Sequence, residues 1–163
     1  MVRHHALNDV VARAFTSANI PVTKEPNGLS RLDGKRPDGL TLFPWQSGKP
    51  LTWDVTVVSK LAGSYVSDSE CLAGAAAELA ATRKSDKYAN LSSSYLFQPI
   101  AIENLGAMND SCYDFFCELG RRITLISDDV YEWRYLFQRL SILIQRFNSV
   151  LLHESFSPEL PPD

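Results

Sequence analysis

Two carboxylates define the chemistry open to this chain. Asp38 ends the run Lys35-Arg36-Pro37-Asp38, Asp54 sits inside the apolar run Leu51 to Val58, and fifteen residues lie between them. Read with period two, the second run sends Trp53, Val55 and Val57 to one face and Asp54, Thr56 and Val58 to the other. An ionised carboxylate on such a half-apolar face is costly unless a cation or hydrogen-bond donors meet it. A divalent metal is one such partner. Mg²⁺ (or Mn²⁺) needs few protein oxygens beside water and substrate phosphate, so Asp38 and Asp54, with the Val55 carbonyl as a third ligand, form a sufficient set.

Phosphodiester hydrolysis also calls for a cation near the attacking water. Ala77, Ala80, Lys84, Lys87 and Tyr88 recur at three- and four-residue steps, which puts both lysines on a small-residue stripe that can lie flat on a sheet. Lys84 is the first choice and Lys87 the reserve; spacing does not decide between them. The same lysines, with Arg83, would equally complement the end of a helix dipole. Arg3, His4 and His5 precede the first predicted helix, where Arg3 or His4 could contact a phosphate or orient a water. Terminal histidines are more often simply exposed.

Several elements must position these groups. Apolar spacing predicts a first helix over 5–19, a short strand over 20–23, strands over 39–45 and 51–59 joined as a hairpin, and a turn region over 27–38. An alanine-rich helix follows over 68–88, with Ser67 and Glu70 at capping-box spacing. A nearly all-apolar strand over 95–102 reads as covered on both faces. Two helices close the chain, one from Asn109 or Asp110 to about Ile126 and one from Asp128-Asp129 to about Glu154. Helix, three strands, helix, strand and two helices make an α/β fold: a mixed central sheet flanked by helices, with two additional C-terminal helices. The last helix carries Leu136, Leu140, Leu143, Phe147, Val150 and Leu151 as a packing stripe, and Ile142, Ile144 and Leu152 as an excess apolar face that could dock elsewhere. Trp45 and Trp53 read as core, as do Cys112 and Cys117 beside Phe115-Phe116.

At 163 residues and 45% hydrophobic residues, the chain suffices for one well-cored domain, 1–156, followed by a disordered proline-rich tail, 157–163. Three cysteines without CxxC spacing argue against a disulfide framework or zinc finger and for a reducing, intracellular compartment. No apolar run is long enough to imply a membrane span or a secretion signal. Charge is uneven: residues 1–90 hold eleven Lys and Arg against nine Asp and Glu, and residues 91–163 five against ten. That is a weak basic surplus for a protein that would grip nucleic acid through its phosphates.

Lys35-Arg36-Pro37-Asp38, Trp53-Asp54-Val55-Thr56-Val57, the upstream Arg3-His4 pair and the downstream Arg83-Lys84-Ser85-Asp86-Lys87-Tyr88 together resemble the restriction-enzyme-like endonuclease domain of site-specific non-LTR retrotransposons, a branch of the PD-(D/E)xK nuclease superfamily. The resemblance spans roughly 3–91. It implies a Mg²⁺-dependent endonuclease with a PD-(D/E)xK-like core, taken over 3–103; the helical part over 109–156 matches no motif of that family. Such an enzyme nicks target DNA and leaves a 3′-hydroxyl for reverse transcription, in the nucleus. Reverse-transcriptase and zinc-knuckle segments would lie upstream in a polyprotein; this chain contains neither, which implies a C-terminal fragment or a degenerate copy. The superfamily lysine two residues after the second acid is Thr56 here. Retrotransposon members displace that lysine onto the following helix, and the resemblance places Lys84 there, ahead of Tyr88. Two other readings stand beside this one: a catalytically inactive docking or DNA-holding module, and a repair or junction nuclease of the same fold.

Overall fold

The computed structural model describes residues 2–29, 33–59 and 73–155. The chain runs α1 (Val2–Ser17), β1 (Val22–Lys24), a 3₁₀ turn (Asn27–Leu29), β2 (Gly39–Gln46), β3 (Lys49–Val58), α2 (Ala75–Lys87), a second 3₁₀ turn (Ala89–Leu91), β4 (Leu96–Glu103), α3 (Asp110–Ser127) and α4 (Glu132–Ser155). Strands β1, β2 and β3 form an antiparallel meander, and β4 adds parallel to β3. A parallel neighbour cannot follow through a tight turn; α2 lies in the crossover that brings β4 alongside. This is the predicted α/β architecture with a mixed four-stranded sheet. None of the helices in the described residues is long and apolar enough to cross a membrane.

β3 sits inside the sheet and is covered on both faces, and its alternation sorts the core into two layers. Trp53 and Val55 join Leu7, Val11, Phe15, Ile100, Ile102, Phe116 and Leu119 beneath α1, α3 and α4. Phe15 stacks on Trp53 with ring centroids 4.9 Å apart. Val58 and Ala101 face the other way and meet Ala76, Ala77, Ala80 and Ala81 of α2. With only methyl groups at this contact, α2 lies close against the sheet, which is what the alanine stripe predicts.

The helix ends are set by local features. α1 begins at Val2, so Arg3, His4 and His5 lie on the helix instead of before it. α2 begins at Ala75, after Gly74 takes a left-handed conformation (φ 91°) that a helix cannot continue through. Its free amides are met from across the sheet, where the buried Glu103 carboxylate accepts the Ala77 N–H at 3.4 Å. Asp128 closes α3 with φ 60° and its N–H on the Thr124 carbonyl. Asp129 then accepts the Tyr131 N–H on its side chain, so α4 starts at Glu132 and not at the Asp pair. Along α4, Leu136, Leu140 and Ile144 are buried, whereas Ile142, Val150, Leu151 and Leu152 are exposed. Ile144 thus belongs to the core and not to the outer face, and the predicted packing stripe stops short of the helix end. The Ser67 to Glu70 capping box, Cys71, residues 68–72 of the predicted second helix and the 157–163 tail lie outside the described residues.

The end of β2 nearest Asp38 is held by close backbone approach. Gly39 pairs with Trp53, and a Cβ at Gly39 would stand 2.0 Å from the Trp53 ring. Gly39→Ala is therefore expected to destabilise the fold by about 1–3 kcal/mol through overpacking. Gly28→Ala, which meets nothing within 4 Å, serves as the control. Urea unfolding of the two variants measures the difference.

Candidate metal centre

Asp38 and Asp54 reach one point because β2 stops short of it. The last ladder pair on this side is Gly39 with Trp53, and the Asp38 N–H still bonds the Trp53 carbonyl at 2.9 Å. Beyond it β3 has no β2 backbone beside it, and the Asp38 side chain takes the place of the missing strand. Its Oδ2 accepts the Val55 N–H at 2.7 Å. Asp54 points from the adjacent position of β3 toward α2 and is only 3% exposed. Lys84 meets it there, Nζ to Oδ2 at 2.7 Å.

A third element closes the site. His4 of α1 places Nε2 2.9 Å from Asp38 Oδ2. One donor atom from each of His4, Asp38 and Asp54 lies within 4.8 Å of the others. Ligands on opposite sides of a small divalent ion sit about 4 Å apart and adjacent ones about 3 Å, so modest side-chain shifts would bring the three onto one ion. The donors are two carboxylates and an imidazole, the chemistry a divalent cation accepts. The residues present therefore fit such an ion.

Asn8, one helical turn after His4, was not among the residues singled out from the sequence. It is buried, donates to the Asp38 carbonyl at 3.3 Å and accepts the Trp53 indole N–H at 2.7 Å. One amide thus fixes α1 against the residue bearing the first carboxylate and the residue next to the second. Only the i, i+4 spacing of His4 and Asn8 on a helix that reaches Val2 could have signalled this. On the opposite side the Tyr88 hydroxyl donates to the Arg36 carbonyl at 2.9 Å, fixing the loop that delivers Asp38.

Among the predicted site residues, His4, Asp38, Asp54, Lys84 and Tyr88 converge, and Val55 enters through its N–H. Lys84, not Lys87, is the lysine on Asp54; Lys87 instead places its ammonium 4.8 Å from the centroid of the Tyr88 ring. Arg3 is half-buried on α1 beside His4.

The electrostatics are those of two buried acids within reach of a lysine and a histidine. Burial is the largest influence on Asp54. Together with the neighbouring Asp38 carboxyl it outweighs Lys84, and the Asp54 pKa is pushed up to about 7. Burial acts upward on Asp38 as well, but the His4 hydrogen bond, the Asp54 carboxyl and the Val55 N–H outweigh it, and the Asp38 pKa is lowered. His4 is raised, chiefly by its hydrogen bond to Asp38. Two carboxyls this close titrate as a pair, with Asp54 driven up and Asp38 down. As an acid whose folded pKa lies above its unfolded one, Asp54 favours the folded state fully below the ordinary carboxylate range. That contribution is lost as pH rises through about 7.

Two outcomes follow from these contacts. A cation must displace the Asp54 proton and part of the His4 charge, so metal affinity is expected to rise with pH up to about 7 and then level off, with proton release below that point. Calorimetry in buffers of differing ionisation enthalpy reads the released protons directly; a pH-independent affinity would place the ion elsewhere. Asn8→Ala leaves the buried Trp53 N–H without an acceptor and is expected to cost about 1–3 kcal/mol in urea unfolding. No protein-family model and no curated protein matches this chain, so the reading of its function rests on the geometry of this site.

Proposed function

We propose that the chain is a metal-dependent DNA endonuclease domain of a non-LTR retrotransposon protein, which nicks target DNA to leave a priming 3′-hydroxyl. The observation that carries this reading is the meeting of His4, Asp38, Asp54 and Lys84 from four separate elements. Two buried carboxylates beside a lysine would suit metal-assisted attack on a phosphodiester. A divalent ion, Mg²⁺ or Mn²⁺, held by Asp38 and Asp54 with His4 and the Val55 carbonyl as further ligands, would supply Lewis-acid polarisation of the phosphate and lower the pKa of a water.

The residues of the chain do the rest. Asp38 stays ionised, oriented by the Val55 N–H. Lys84, with its side chain 27% exposed, can turn from Asp54 toward a bound phosphate, where its ammonium would hold the attacking water or offset the charge developing on phosphorus. Tyr88 keeps the Arg36 to Asp38 loop in place, and Arg3, one residue before His4 on α1, would be the group to meet a neighbouring phosphate. The upstream reverse transcriptase and zinc knuckle of such a protein, acting in the nucleus, would deliver the DNA that this weakly basic chain grips poorly.

The Lys84 to Asp54 ion pair also favours a second reading, in which a buried charge pair only braces α2 on the sheet of an inactive docking or DNA-holding module. Plasmid nicking separates the two. The enzyme reading expects Mg²⁺- or Mn²⁺-dependent conversion of supercoiled to open-circular DNA, abolished by EDTA. It expects a loss of about 10²-fold or more in Asp54→Asn and in Lys84→Ala. Folded protein that binds metal yet never nicks, even with the upstream segments supplied, would turn the assignment to the docking module.

A further inference from the structure

The metal-ligand set contains one nitrogen, and nitrogen is a poor partner for the ion this fold class would suggest. We propose that the His4 imidazole sets the ion selectivity of the centre, so that it takes Mn²⁺ or a neighbouring first-row transition ion in preference to Mg²⁺. The inference rests on the metal-site half of the proposed function and is independent of whether DNA is cut.

The geometry bears on His4 in three ways. Its Nε2, and not a ring edge, is the atom turned to Asp38 Oδ2, at 2.9 Å. The ring bridges to a carboxylate already oriented from behind by the Val55 N–H at 2.7 Å, as outer hydrogen bonds orient metal ligands elsewhere. The helix bearing it is fixed on the site by the buried Asn8 amide, so the imidazole is presented by a packed element and not by a free terminus. A simple surface ion pair would account for the first contact alone.

The choice of ion follows from donor chemistry. Mg²⁺ demands near-ideal octahedral oxygen coordination and gives up water reluctantly. Imidazole is a ligand for the first-row transition ions and a poor one for Mg²⁺; Mn²⁺ stands lowest of that series, shares the Mg²⁺ liking for carboxylates and, unlike Mg²⁺, also accepts a nitrogen. Asp54 being almost wholly buried and Asp38 nearly so, few waters remain to complete an all-oxygen shell around Mg²⁺ on the protein side.

The test is binding to the whole chain without DNA. Isothermal titration with Mn²⁺ and with Mg²⁺ is expected to give a preference for Mn²⁺ of about tenfold or more, from the added nitrogen ligand. Pulsed EPR of the Mn²⁺ complex of protein labelled with ¹⁵N-histidine is expected to show imidazole nitrogen coupling. That coupling should vanish in His4→Ala and persist in His5→Ala, the neighbouring ring serving as control. His4→Ala is expected to lower Mn²⁺ affinity and bring the Mn²⁺ to Mg²⁺ ratio toward one. His4→Glu restores an all-oxygen set and is expected to move the preference to Mg²⁺, which decides the matter even if His4→Ala binds neither ion measurably. Equal affinities in the parent protein, an unchanged ratio in His4→Glu, or Mn²⁺ bound without nitrogen coupling would each overturn the proposal. Selective binding with nitrogen coupling but no nicking would leave it standing and remove the nuclease assignment alone.

Discussion

A carboxylate in the middle of a strand buried on both faces is the constraint to which the rest of this molecule answers. Asp54 flanks Trp53 and Val55, both in the core, and removing its charge from water would cost several kcal/mol without partners. Three responses are visible. Asp54 keeps a proton to higher pH than usual. Lys84 comes down from α2 to meet it. Asp38 and His4 stand on the remaining side. The second and third draw on three different parts of the fold, so satisfying one charge fixes α1, the β2 start and α2 relative to β3.

The layering of the sheet makes this possible. One parity of β3 and β4 packs under α1, α3 and α4, and on the other Val58 and Ala101 meet the alanine stripe of α2. The alanine layer is thin, which brings the α2 backbone close enough for a lysine near its C-terminal end to reach a carboxylate on the strand. A bulkier stripe would hold α2 away and leave Asp54 without its cation. On the opposite face the site borders on the aromatic core, since Trp53 gives its ring to Phe15 and its indole N–H to Asn8. Packing and polar geometry are therefore coupled through a single side chain.

Element types were legible in the sequence wherever periodicity was strong. The alternation of β3, the alanine helix and the apolar β4 predict a helix-flanked mixed sheet, and that is the architecture observed. Helix ends were less legible, because they depend on single backbone conformations and distant acceptors. Gly74 looks like an ordinary residue of an alanine-rich run until its positive φ is seen, and the acceptor for the α2 amides is Glu103, on a strand that follows the helix. The Asp128-Asp129 pair reads as one helix start, yet its first member closes the preceding helix and its second turns the chain, accepting the Tyr131 N–H just before the next helix begins at Glu132. Ile144 and Ile142 are alike in composition and differ only in which way the helix faces the core.

For the site, the sequence by itself determined the two carboxylates, the lysine stripe and the burial of Asp54, because period two on β3 and steps of three and four on α2 are local properties of the chain. The tertiary structure alone decided which lysine answers Asp54, that His4 stands on α1 facing Asp38, and that Asn8 ties the two together. These contacts join residues 30 to 45 positions apart, across elements whose relative placement is set by packing. No local pattern encodes which of two lysines less than one turn apart points at a strand end; that is fixed by how closely, and at what rotation, an alanine face settles on the sheet.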